Sequence, residues 1–278
     1  AGADLCAGDD VGRSAAHFSA WAGHVGPIRV LAGLGADVHA GDADGRSPLH
    51  VAAESGFAEV AMVLFELGAS LDAADAKGRT PLHLAARCGH ADLARSLAAL
   101  GAALEAKDSK GRSALHIAAE GGHLDMVRLL VESGANIEAA NQAGWTPLQV
   151  AIRGQNFATM ELLVALGADV GAKQANGETA LHSACWGGDL AAVRKLTQLG
   201  ADLDARDKDG RAILHVAAEG GHASMVRSLA ECGADLNVVE AKGRTAAHLA
   251  LETLLLLADL EKFSNVAPET SKWRAHLE

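Results

Sequence analysis

The amino-acid sequence predicts an all-α fold, in which helical-hairpin repeats are joined by β-hairpin-like fingers. A constant interval of 33 residues separates eight glycines: Gly12, Gly45, Gly78, Gly111, Gly144, Gly177, Gly210 and Gly243. A fixed period of this length is typical of a stack whose neighbouring repeats complete each other's core. The segments after these glycines carry helix-start signals, and only 3% of the residues are aromatic, which suits short, closely stacked helices.

The first helix of each repeat is predicted from its start and stop signals, which are clearest in residues 75–107. Thr80 precedes Pro81, so the threonine can cap the free amides of a helix while the proline occupies its first turn. Leu82 then opens an apolar stripe with helical spacing. Gly89 ends this first helix.

A second helix and a finger complete the repeat. Leu93 and Leu97 recur at helical spacing, and Gly101 is placed to form a left-handed C-terminal cap. The polar stretch 105–110 is closed by Gly111, where a positive φ is expected, and predicts a hairpin-like turn into the next repeat.

These residues resemble the ankyrin repeat almost position for position. The segment 75–90 reads Asp-Ala-Lys-Gly-Arg-Thr-Pro-Leu-His-Leu-Ala-Ala-Arg-Cys-Gly-His, and it is followed by Leu93, Leu97 and Gly101-Ala102. The resemblance covers nearly the whole chain and implies an ankyrin-repeat α-solenoid, a right-curved elongated stack. It places seven repeats at 9–41, 42–74, 75–107, 108–140, 141–173, 174–206 and 207–239.

The two ends of the chain depart from this pattern. Residues 1–8 match the end of a preceding repeat, so we expect the natural array to be longer. Residues 240–260 are expected to form a degenerate eighth repeat or C-terminal cap. Residues 261–278 are expected to form a tail or a docking helix.

Charge and composition argue against several classes of partner. The formal net charge is −11, which disfavours binding to nucleic acid. The longest apolar tract, 249–260, is interrupted by charged residues and is far shorter than the roughly 20 residues of a membrane span. The four cysteines lie in different repeats without C-x-x-C spacing, which favours reduced thiols and a cytoplasmic or nuclear location.

The histidines and aspartates fall into repeat columns, and this predicts no metal site and no catalytic site. One histidine column ends the Thr-Pro-Leu-His motif and a second follows the glycine after the first helix; a ladder with one imidazole per repeat does not surround an ion. The resemblance implies that the first column bonds to backbone. The aspartates at Asp9, Asp42, Asp75, Asp108 and Asp207 occupy a turn column. We also find no catalytic motif, so no enzyme activity, cofactor or small-molecule substrate is expected.

Candidate binding residues lie where the columns vary. The resemblance implies that partners dock on the concave surface formed by the fingers and first helices. We predict an anchor of Trp145, Arg153 and Trp186 that grips an acidic or aromatic peptide, because tryptophan and arginine are enriched in binding hot spots. Further candidates in the same two columns are Arg112, Arg211, Glu178 and Trp21. The alternative is that the arginines form a solvated, salt-bridged edge.

The fifth repeat departs most from the pattern. Gln149 replaces the column histidine, Ile152 replaces an alanine, and Gln155-Asn156 replaces Gly-His. Such departures indicate either a functional position or a bend or looser seam in the stack.

The sequence therefore favours a noncatalytic protein-interaction scaffold or adaptor. One alternative is the regulatory or targeting region of a larger enzyme or channel, whose working domain lies outside this chain. Another is a structural spacer or self-assembling stack.

Overall fold

The structure is a computed structural model that describes residues 7–251. The chain divides into two compact units, with the first ending at Ala168 and the second beginning at Asp169. The first unit contains helices α1 (Ala15–Trp21), α2 (Val25–Gly33), α3 (Pro48–Ser55), α4 (Ala58–Glu66), α5 (Pro81–Cys88), α6 (Ala91–Ala99), α7 (Ala114–Gly121), α8 (Leu124–Glu132), α9 (Pro147–Arg153) and α10 (Phe157–Ala165).

The second unit contains two further helix pairs and one more helical segment. Its helices are α11 (Ala180–Trp186), α12 (Leu190–Gln198), α13 (Ile213–Glu219) and α14 (Ala223–Glu231). Residues 246–251 are also helical. Within residues 7–251 the β-structure is limited to one isolated bridge, between Arg206 and Ala212. The predicted all-α repeat fold is confirmed.

The helices of the first unit pack in two layers. First helices stack on first helices (α1 on α3, α3 on α5, α5 on α7 and α7 on α9), and each also packs on the second helix of its own repeat. Leu49, Leu82, Leu115 and Leu148 are almost fully buried in the first-helix layer. In the second unit, α11 packs on α12 and α13, and α13 packs on α14.

The cap residues predicted from the sequence start and end these helices. Thr80 is the N-cap of α5 with Pro81 in the first turn, and Gly89 is its left-handed C-cap with φ of 74°. Leu100 ends α6, and Gly101 follows it with φ of 92°. Several first helices thus begin with a proline, whose missing amide is not needed there.

The glycine that repeats every 33 residues serves two purposes. Gly78 has φ of 71°, as the turn requires, and a Cβ at this position would lie 2.9 Å from the amide nitrogen of Ser109 in the next finger. The sequence predicted the positive φ but not the close approach. The third and fourth fingers are hydrogen-bonded to each other at this point, because the amide of Ser109 donates to the carbonyl of Lys77 at 2.9 Å.

The core of the fifth repeat gains a larger residue on its first helix and has a smaller one on its second. Ile152 of α9 is buried where the three preceding repeats have alanine, and Thr159 of α10 is buried where they have Val60, Leu93 and Met126. The hydroxyl of Thr159 has no hydrogen-bond partner. An unsatisfied buried hydroxyl destabilises the folded state.

Replacing Thr159 with valine is expected to raise the free energy of unfolding by about 1 kcal/mol, because the unpaired hydroxyl is removed without a large change in volume. Urea denaturation followed by circular dichroism measures this change. The control is Thr146→Val, which removes the hydroxyl that accepts the Gln149 amide at 3.4 Å and should destabilise by about 1 kcal/mol. A lower unfolding midpoint for Thr159→Val would contradict the prediction.

Candidate functional site

Each regular finger is closed by a buried aspartate and an arginine. In the third repeat, Oδ1 of Asp75 accepts from the amides of Lys77 at 2.9 Å and Arg79 at 2.8 Å, while its Oδ2 accepts from Nε of Arg79 at 2.7 Å. Burial raises the pKa of Asp75, but these hydrogen bonds outweigh burial and hold the pKa below its ordinary value of 3.8. The same pairing occurs at Asp42–Arg46, Asp108–Arg112 and Asp207–Arg211. The aspartates are therefore turn formers.

The fifth finger replaces this ion pair with a neutral pair. Oδ1 of Asn141 accepts from the amides of Ala143 at 2.9 Å and Trp145 at 3.0 Å, as the aspartates do in other fingers. The position of the arginine is taken by Trp145. Because both members of the pair change, no buried carboxylate is left without its guanidinium.

The first histidine column joins each first helix to the next finger. Nδ1 of His83 accepts from the Thr80 amide at 3.1 Å, and its Nε2 lies 2.9 Å from the carbonyl oxygen of Arg112. An amide only donates and a carbonyl only accepts, so these bonds require the neutral imidazole with its proton on Nε2. The same arrangement occurs at His17, His50, His116, His182 and His215. The backbone role implied by the resemblance is confirmed.

The second column ties the end of one first helix to the following repeat. Nε2 of His90 donates to the Glu54 carbonyl at 3.0 Å, and His123 and His222 make the same bond to Arg87 and Trp186. The bonded residues form the variable column at the ends of the first helices. Their backbone is thus fixed, which leaves their side chains free to differ.

The polar departures in the fifth repeat keep hydrogen bonds or backbone geometry found in the other repeats. Gln149 accepts the Thr146 amide at 3.0 Å in place of a histidine. Asn156 donates to the Glu120 carbonyl at 2.7 Å, and Gln155 adopts the positive φ of 57° that glycine has elsewhere. The polar substitutions are therefore structural equivalents, and they do not by themselves mark a binding site.

The predicted anchor is assembled in part. In the first unit, the guanidinium of Arg153 lies 5.0 Å from the centre of the Trp145 ring, which is a cation–π contact. The Trp145 backbone is held on both sides, by Asn141 at its amide and by His116 at its carbonyl. Trp186 is 61% exposed in the second unit. Trp21 is 69% exposed at the end of α1.

Each of the two arginine candidates bonds to carboxylates within its own unit. Arg112 pairs with Asp108 at 2.8 Å and with Glu120 at 2.7 Å. Arg211 pairs with Asp207 at 2.7 Å, with Glu219 at 3.2 Å and with Glu178 at 3.7 Å. These contacts agree with the salt-bridged alternative for the arginine column; the binding role of Arg112, Arg211 and Glu178 stays a prediction.

Two cations that the sequence reasoning did not single out lie at adjacent finger tips. Lys77 and Lys110 are exposed, and neither ammonium pairs with a carboxylate in residues 7–251. The sequence contains this pair of lysines in the column of residues at the finger tips, which reads Val11, Asp44, Lys77, Lys110, Ala143, Asn176, Asp209 and Lys242. Only the third and fourth repeats place lysines side by side in that column.

The described residues offer few features of other classes of site. From residue 7 to 251, no group of three or more histidine, cysteine, aspartate or glutamate side chains is arranged to hold a metal ion. None of the helices in this range combines the length and apolar character needed to cross a bilayer. Cys88, Cys185 and Cys232 are free thiols, and burial raises the pKa of Cys185 to about 12.

The stacked helix pairs and the hydrogen-bonded fingers define a helical repeat protein. Its repeats share one frame and differ from each other at a few surface positions. The family model for ankyrin repeats matches residues 1–75, 68–141, 99–174, 138–207 and 181–261. The chain belongs to the ankyrin repeat family.

One matching solved structure is the ankyrin repeat domain of Bcl-3, described as a unique member of the IκB protein family. It is 33% identical, with 74% of this chain and 95% of that chain covered and a TM-score of 0.69. No curated protein sequence matches the chain significantly. Ankyrin repeats are protein-interaction modules and are generally noncatalytic, so this chain is a protein-interaction domain.

Removing the arginine of one finger should show how much a buried, unpaired carboxylate destabilises the fold. Arg79→Ala leaves Asp75, whose side chain is 1% exposed, without its guanidinium, and we expect a loss of about 2 kcal/mol in the free energy of unfolding. Adding Asp75→Asn should recover most of this loss, since Asn141 makes the same amide bonds in the fifth repeat. Urea denaturation of both variants checks this; a double variant no more stable than Arg79→Ala would contradict it.

The buried, neutral histidines of the first column predict a loss of stability in mild acid. Burial lowers the pKa of His50, His83, His116 and His182 below the ordinary value of 6.5. The unfolded chain therefore binds more protons than the folded chain just below pH 6.5, so the free energy of unfolding falls as the pH decreases through this window. The contribution of Asp42, Asp75 and Asp108, whose pKa values lie below 3.8, is lost only at lower pH.

A triple His50→Gln, His83→Gln, His116→Gln variant tests the source of this pH dependence. Glutamine serves at Gln149 and does not titrate, so the difference in urea midpoint between pH 7.5 and pH 5 should shrink. An unchanged difference would show that other groups control the acid sensitivity.

Proposed function

We propose that the chain is a noncatalytic scaffold that binds a segment of a partner protein on the concave surface of its fingers and first helices. Within the first unit, we assign the anchor of this surface to Trp145 and Arg153. The partner segment would supply a carboxylate to the guanidinium of Arg153 and an apolar or aromatic group to the ring of Trp145.

The state of Arg153 is the observation that carries the proposal. Arg46, Arg79 and Arg112 are each paired with a carboxylate of their own finger. Arg153 is exposed, makes no ion pair within the described part of the chain, and is held over Trp145. Stacking on an indole leaves the N–H groups of a guanidinium free for a bidentate bond to a carboxylate.

The anchor is also preorganised, which favours binding. The amide and the carbonyl of Trp145 are both fixed by hydrogen bonds, so little backbone freedom is lost when a partner docks. Arg112 and Arg211, with two or more carboxylate contacts each, would hold the fingers of their own repeats in place. We retain Trp186 as a separate exposed anchor of the second unit, with Glu178 in the finger that precedes α11, and Trp21 as an exposed contact of the first repeat.

An arginine pair provides the sharpest test of the anchor. Arg128 on α8 is, like Arg153, exposed and without an ion pair within residues 7–251, but it lies on a second helix. Partner capture by the immobilised chain, measured by quantitative mass spectrometry, should fall about tenfold for Arg153→Gln and stay unchanged for Arg128→Gln. Equal capture by both variants would refute the assignment of Arg153.

The two tryptophans are tested together, because they represent the anchors of the two units. Trp145→Ala with Trp186→Ala should abolish capture while circular dichroism shows the helical content of the parent chain. Retained capture by this double variant would contradict the proposal.

A further inference from the structure

A groove lies between the fingers of the third and fourth repeats and their first helices, α5 and α7. Its volume is about 480 Å³, and its lining includes Lys77, Arg87 and Lys110. The groove belongs entirely to the first unit. No sequence column predicted it, because its walls come from two repeats.

The groove is positively charged in a chain of net charge −11. Its charged lining consists of five cations and two carboxylates: Lys77, Arg79, Arg87, Lys110 and Arg112, with Asp108 and Glu120. The three arginines are paired with carboxylates, at Asp75, Glu54 and Asp108 respectively. Lys77 and Lys110 therefore remain available to bind the negative charge of a ligand.

The two lysines are one repeat apart. The Ser109 amide donates to the Lys77 carbonyl, and the Gln142 amide donates to the Lys110 carbonyl at 3.2 Å, so successive finger tips are joined. Packed helices such as α5 and α7 lie roughly 8–10 Å apart. A polyproline II segment advances about 3.1 Å per residue with three residues per turn, so every third side chain lies on one edge at about 9 Å intervals.

We infer that this groove binds acidic side chains three residues apart in an extended segment of a partner protein, one carboxylate at Lys77 and the next at Lys110. The inference rests on the proposed function and adds the charge pattern of the bound segment. The fifth repeat, with Trp145 and Arg153, follows directly along the joined fingers and would receive the next residues of the segment.

A synthetic peptide with four Glu-Pro-Thr triplets is the probe. Its prolines favour polyproline II, which places the glutamates on one edge. A second peptide of the same composition carries its four glutamates in one run and serves as the spacing control. Both carry an N-terminal fluorophore, and binding to the full chain is measured by fluorescence anisotropy at low salt.

The matched substitution uses the finger-tip column itself. Lys242 occupies the tip position in the eighth repeat, is exposed, and lies outside the groove. Lys77→Gln with Lys110→Gln should weaken binding of the triplet peptide about tenfold, corresponding to two exposed charge contacts. Lys242→Gln should leave the affinity unchanged, and the parent chain should prefer the triplet peptide to the clustered one.

Three results would overturn the groove assignment: no binding of the triplet peptide, equal binding of both peptides, or equal loss in the Lys242 and the double lysine variants. Failure of the groove is separable from failure of the anchor. Peptide binding that depends on Lys77 and Lys110, with partner capture indifferent to Arg153→Gln, would support the groove and remove the anchor. The reverse pattern would support the anchor and remove the groove.

Discussion

One imidazole per repeat holds repeats one to four, six and seven in register with the finger that follows each of them. In the third repeat, His83 closes the start of its own helix at Thr80 and reaches the carbonyl of Arg112 in the next finger. A single buried side chain therefore fixes a helix end, a finger and the junction between two repeats. This works only with a neutral ring protonated at Nε2, so the ladder depends on the low polarity of its surroundings. Where the chain abandons histidine, at Gln149, it keeps an acceptor for the same amide.

The hydrogen-bonded frame and the proposed binding surface use different atoms of the same residues. The carbonyls of Glu54, Arg87 and Trp186 bond to the following repeat, while their side chains form the variable column. Likewise, Trp145 is fixed through its backbone while its ring carries Arg153. A side chain on a fixed backbone loses less freedom on binding than one on a mobile loop. Under the proposed function, the rigid junctions would therefore contribute to recognition as well as to stability.

The fold was predictable from sequence because its signals are local. Thr80, Pro81 and Gly89 each determine where a helix begins or ends within a few residues. Because the same signals recur every 33 residues, each repeat predicts the same pair of helices. The contacts between repeats were harder, since the reason that Gly78 must lack a side chain is the amide of Ser109, 31 positions further on. The site was only partly predictable for the same reason. Trp145 and Arg153 stood out as column breaks, whereas the importance of Lys77 and Lys110 depends on which carboxylates other cations already occupy.

The neutral pair Asn141–Trp145 has a consequence for how this surface can diverge. Changing the arginine of a finger first leaves a buried carboxylate unpaired and destabilises the fold. Changing the aspartate to asparagine first keeps the amide bonds, as at Asn141, and leaves only a partly exposed guanidinium without its partner. A finger tip such as Lys77 or Ala143 has no such partner and can change in one step. A change of partner preference on the ladder of aspartate–arginine pairs therefore depends on the order of two substitutions, whereas one substitution is enough at a finger tip.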